Sequence, residues 1–74
     1  MIWHGNPYMI GRLVDINSLV PDESQYKDKP TLLNDLKTNG QQSALIVDGN
    51  RIKDGNNRYQ YLKQLGFTHI SVRD

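Results

Sequence analysis

The chain of 74 residues has no cysteine. That excludes a disulfide framework, a thiolate nucleophile and any cysteine-ligated zinc site. Histidine is nearly as scarce: His4 and His69 are too far apart in sequence to share metal-ligand spacing, so neither a metal nor another cofactor is expected. Charge of either sign is nowhere in excess. Nine Lys and Arg against eight Asp and Glu leave a formal charge of +1, so bulk electrostatics favour neither nucleic acid nor a membrane surface. No apolar run approaches the roughly 20 residues that a membrane helix needs. Residues 1–7 have neither the basic nor the apolar region of a signal peptide. The expectation is a soluble, cytoplasmic protein with no membrane partner. Hydrophobic residues make up only 36% of the chain, so a single small core of marginal stability is expected unless a partner or a second copy adds to it.

What is present is concentrated in residues 48–67. Asp48-Gly49 and Asp54-Gly55 are turn signals, because glycine adopts positive φ freely and aspartate bonds to the backbone ahead of it. Between them Arg51-Ile52-Lys53 alternates as a short half-buried strand does. From Asn56 the period changes. Tyr59, Leu62 and Leu65 recur at helical spacing, and Gly66 stands where a left-handed residue ends a helix. A strand entering a helix through Asp54-Gly55 leaves backbone N–H groups free at the helix start, which favours an anion. The candidate anion or nucleotide site is therefore Gly55, Asn56, Asn57 and Arg58, with Asp54 expected chiefly as a turn residue and N-cap.

Residues 1–9 form an N-terminal aromatic arm, and residues 10–74 a single domain. Trp3 and Tyr8 either lie back on that domain and enlarge its core or form a docking surface for a partner. Residues 12–16 read as a strand. Residues 21–29 are polar with one aromatic, a loop by composition, and Gln25, Tyr26, Lys27 and Lys29 are its candidate binding residues. Pro30 suits a first helical turn, Leu32, Leu33 and Leu36 make an apolar face, and Asn39-Gly40 stops the helix. Residues 41–43 are a polar connection into Ala44-Leu45-Ile46-Val47, a buried strand. At the end His69, Ser71 and Arg73 alternate with Ile70 and Val72, placing the polar set on the open side. The order strand, helix, strand-turn-strand, helix, strand is an α/β (α+β) arrangement: a small mixed sheet with two helices.

Residues 13–72 resemble the ParB/sulfiredoxin-like domain in the compact form found in phage and mobile-element proteins. The resemblance lies in Pro21 and Gln25 of the loop, the helix over 32–40, the strand over 45–47, the Gly55-x-x-Arg58 helix start and the Leu65-Gly66 close. The sulfiredoxin branch has Gly-Cys-His-Arg at the turn; here Asn56 replaces the cysteine, so thiol chemistry is excluded. The ParB branch has Gly-Glu-Arg-Arg and binds nucleoside triphosphates there. Asn56 and Asn57 replace one carboxylate and one guanidinium, and an amide does not supply the charge of a bidentate guanidinium. A weaker phosphate site is expected. No counterpart of the partition proteins' helical DNA-binding extension precedes Asp74, so sequence-specific DNA binding through it is not expected.

The resemblance implies first a small non-catalytic regulator, phage-encoded and acting in the host cytoplasm. It would bind a protein partner in transcription or DNA processing, for example RNA polymerase. The alternative is a nucleotide-binding switch or kinase of the CTP- or ATP-dependent type, with Asp54 or Glu23 as base or magnesium ligand. A third reading is direct DNA binding through Lys27, Lys29, Arg51, Lys53, Arg58 and Lys63, which interspersed acidic residues weaken.

Overall fold

The structure, a computed structural model, describes residues 11–74, so Trp3, Tyr8 and the arm over residues 1–9 lie outside the described part. The elements are strand β1 (Arg12–Asp15), helix α1 (Pro30–Asn39), strands β2 (Leu45–Asp48) and β3 (Arg51–Asp54), helix α2 (Asn56–Gln64) and strand β4 (His69–Arg73). They form the mixed sheet with two helices that the periodicities indicate. The sheet order is β1-β4-β2-β3. β1 and β4 are antiparallel, β4 and β2 parallel, and β2 and β3 form a hairpin.

One core joins the layers. Leu45, Val47 and Ile52 of the hairpin and Ile70 and Val72 of β4 cluster with Leu36 of α1 and with Tyr59 and Leu62 of α2. The i, i+3 spacing of Tyr59 and Leu62 sets both on the core side of α2. α1 begins with Pro30, whose missing N–H costs nothing in a first turn, and ends with the Gly40 N–H on the Leu36 carbonyl at 3.0 Å. α2 ends in two closing bonds, Gly66 N–H to the Lys63 carbonyl and Phe67 N–H to the Leu62 carbonyl, both at 3.1 Å. The φ of +88° at Gly66 is what that closure requires.

The structure corrects four expectations. β1 stops at Asp15, and Ile16 opens a single 3-10 turn, Ile16–Ser18, because the Asp15 carboxylate accepts from the Asn17 N–H and turns the chain. The loop over residues 21–29 contains a second such turn, Glu23–Gln25. Gln41 is no solvated connector: it is fully buried. Its amide donates to the carbonyls of Ser43 and Ser71 and accepts from the Ser71 N–H, all at 2.8–2.9 Å. Ser71 is buried as well, unlike its alternation partners His69 and Arg73, with Gly11 packed directly over its hydroxyl.

Candidate functional site

The turn between β3 and α2 sets the geometry. Gly55, not Asp54, is the N-cap of α2, at φ +98° and ψ +21°, and no side chain caps the helix. Asp54 belongs to β3. The correction has a local cause, since a left-handed cap position next to the buried Leu45 side chain accepts only a residue without Cβ. The first intrahelical bond is Tyr59 N–H to the Gly55 carbonyl at 2.9 Å. The N–H groups of Asn56, Asn57 and Arg58 precede it and have no partner within the helix.

The side chains of Asn56 and Asn57 turn away from solvent and are buried. Asn56 Oδ1 accepts from the Asp22 N–H at 2.7 Å, and its Nδ2 donates to Gln25 Oε1 at 3.2 Å. Asn57 Oδ1 accepts from the Lys27 N–H at 3.1 Å, and its Nδ2 donates to the Lys27 carbonyl. One turn further on, the buried Tyr61 hydroxyl accepts from the Lys29 N–H at 2.7 Å. Three α2 side chains thus satisfy backbone groups of a loop with little regular structure of its own. The two amides, Asn56 and Asn57, brace this loop.

The braced loop forms one wall of a cleft of about 270 Å³. Gln25 and Lys29 line it from the loop, Leu32 from α1, Asp54 from β3, and Gly55 to Arg58 from the α2 start. The lining thus includes two cationic residues, Lys29 and Arg58, and one acidic residue, Asp54, and the N–H end of α2 adds partial positive charge. Arg58 is half-buried.

The structure therefore brings six of the sequence candidates together: Gln25, Lys29, Gly55, Asn56, Asn57 and Arg58. Tyr26 and Lys27 are not in the cleft wall. The Tyr26 ring packs edge-on against Tyr61, with centroids 5.8 Å apart and planes at 78°, while Lys27 contributes backbone bonds to Asn57. Glu23, considered as a base, lies with Tyr26, Gln60 and Gln64 in a separate hollow. Of the cationic residues, Arg51 and Lys53 line a further groove that also contains Asp22 and Asp48. Among the described residues no group of His, Asp and Glu converges to hold a metal ion. None of the described helices is long and apolar enough to cross a membrane.

Two shifted ionisations mark the loop. The Asp22 carboxyl is held below its ordinary value, first by the Ser24 hydroxyl bond at 2.6 Å and then by the Ser24 N–H. The Tyr26 phenol is raised, mainly by its hydrogen bond to the Tyr61 hydroxyl. Sequence reasoning missed Tyr61, which is one residue off the Leu62 stripe. Its signal was its place four residues after Asn57, which puts both polar tips on one helix face.

Neither a family model nor a curated protein matches the chain. The solved structure of a Pnob8-like ParB-N domain superposes on 85% of it, with a TM-score of 0.74 and 25% sequence identity. The chain spans 27% of the length of that protein's chain.

Proposed function

We propose that this chain, which has the fold of a ParB-like N-terminal domain, binds the phosphate end of a nucleotide at the start of α2 and acts through binding rather than catalysis. The observation that supports this reading is the convergence of Lys29, Arg58 and the N–H end of α2 on one cleft. Lys29 supplies from the loop the second positive charge that the turn itself lacks. In this reading the open cleft of about 270 Å³ takes the phosphate groups, and the nucleoside lies outside it. Among the described residues Asp54 is the one carboxylate in the wall.

Titration calorimetry with CTP, ATP and pyrophosphate, each with and without magnesium, tests the reading. Arg58→Ala and Lys29→Ala should each weaken binding about tenfold or more, the value of a charge-assisted hydrogen bond, while leaving the melting temperature unchanged. Absence of binding by the unaltered chain at millimolar ligand would end it.

A second reading is the one the sequence favours: a small phage-encoded regulator that docks on host transcription or DNA-processing machinery such as RNA polymerase. It is supported by Val20 and Tyr26, large apolar side chains exposed at 44% and 39% on the same loop region. Affinity capture from nuclease-treated bacterial lysate separates the two. Recovery of polymerase subunits that Val20→Asp or Tyr26→Ala abolishes, with no nucleotide binding, favours the regulator.

A further inference from the structure

The two edges of the sheet are treated differently. At β3, Val20 lies alongside the strand: its N–H donates to the Asn50 carbonyl at 2.8 Å, and its carbonyl accepts from the Ile52 N–H at 3.0 Å. Among the described residues β1 has no such cover. Its hydrogen-bonding sense follows from the register. Ile16 donates to the Thr68 carbonyl at 2.9 Å, and Arg12 and Val14 stand opposite Val72 and Ile70. In an antiparallel pair, alternate residues direct both N–H and C=O to the same neighbour. Residues 12, 14 and 16 thus face β4, and Leu13 directs both its N–H and C=O outward, whereas the Asp15 carbonyl is already bonded by the Ser18 hydroxyl at 2.7 Å. Leu13 is also the most exposed large hydrophobic among the described residues, at 54%.

We propose that a second copy of this chain covers β1, the two β1 strands pairing antiparallel across a two-fold axis at Leu13 and joining two four-stranded sheets into one. The strand is complementary to itself. Opposed residues of an antiparallel pair lie on the same face, so a symmetric pair must be centred on a residue. Centring on Asp15 would oppose two carboxylates, and centring on Val14 would set Leu13 against a carboxylate. Centring on Leu13 places leucine on leucine, lets the outward N–H and C=O of each Leu13 bond the other, and sets neither Asp15 against a second carboxylate, since the chain before Arg12 turns over β4 at Gly11. An exposed edge strand with free backbone groups is a template for such pairing, and lysine on the edge is what normally prevents it.

Sedimentation velocity of the full chain over a range of concentrations tests the proposal. The unaltered chain should form a dimer. Leu13→Lys, at an exposed position, should match the melting temperature of the unaltered chain at concentrations where both are monomeric, and weaken dimerisation at least tenfold. Leu13→Cys gives an independent readout, since the chain has no other cysteine. The opposed Cα atoms of a hydrogen-bonded pair lie about 5.5 Å apart, within the range of about 4.4–6.8 Å that a disulfide spans. Under oxidation Leu13→Cys should give disulfide dimers much faster than Lys37→Cys on the exposed side of α1. A monomer at the highest soluble concentration, a dimer unaffected by Leu13→Lys, or equal cross-linking of the two cysteine variants would each overturn it.

Discussion

Asn57 of α2 and Lys27 of the preceding loop are joined as two strands would be: the Asn57 amide accepts from the Lys27 N–H at 3.1 Å and donates to the Lys27 carbonyl. A side-chain amide has one donor and one acceptor edge, as a peptide does, so a buried asparagine can replace a missing strand. Asn56 and Tyr61 extend the contact to Asp22 and Lys29. The loop keeps its shape, and Lys29 its place in the cleft, because α2 supplies the partners that the loop backbone needs.

Asn57→Ala removes both bonds and leaves the Lys27 backbone to find water. The expected loss of stability is about 1–3 kcal/mol, together with weaker phosphate binding because Lys29 is no longer held. Urea titration measures the first effect and amide exchange at Lys27 locates it. Unchanged exchange at Lys27 would show that the brace does not operate.

Gln41→Leu keeps the bulk of a fully buried side chain and removes its amide. The Ser71 N–H and two carbonyls then lose their partner, at roughly 1–3 kcal/mol for each buried group left unsatisfied. The loss should be a large part of the about 5–15 kcal/mol that holds a domain together. Gln42→Ala at the exposed neighbour should cost far less. Equal denaturation midpoints for the two variants would contradict the assigned role.

Gly55→Ala should destabilise the domain by about 1–3 kcal/mol, as a residue forced into a sparse backbone region does. Its φ is +98°, and an added Cβ would stand 2.9 Å from Cγ of Leu45, which is fully buried and has no room to move. Gly49→Ala is the control. It shares a positive φ of +62° but would meet nothing within 4 Å, so it should lose only the conformational term of about 1–2 kcal/mol. Thermal melts of the pair separate the steric contribution from the backbone one.

Asp22 should make the loop sensitive to acid. Its carboxyl titrates below the ordinary 3.8 because the Ser24 hydroxyl and N–H bond the charged form. A depressed folded-state value means that the folded chain binds fewer protons than the unfolded one. The stabilisation is therefore present above pH 3.8 and is lost as pH falls through the lower folded value. Ser24→Ala should return the carboxyl toward its ordinary value. A carbon-13 NMR titration of Asp22 in both proteins reads the shift directly, and identical midpoints would refute the role of Ser24.

Leu13 poses a separate question from the cleft, because the two surfaces lie on different elements. A phosphate site that fails would leave the β1 edge as it is, and a monomeric chain would leave Lys29 and Arg58 where they are.

The sequence by itself determined the elements and their order. Asp54-Gly55 and Gly66 bound α2, Pro30 and Gly40 bound α1, and the apolar runs mark the strands, because turn chemistry and side-chain period act within a few residues. The same local rules single out the α2 start as the candidate anion site. Only the tertiary structure decided what the polar residues do. Asn56 reads as a lost charge until loop residues 31 and 34 positions away come to rest on it, and Asn57 until Lys27, 30 positions away, does the same. Gln41 reads as a connector until Ser71, 30 positions on, brings it two backbone groups to bond. Lys29 enters the cleft while Lys27 does not, a choice made by which backbone groups Asn57 and Tyr61 hold. A polar side chain carries no period of its own; its role is set by whichever unpaired group the fold delivers to it, and no local pattern records that distance.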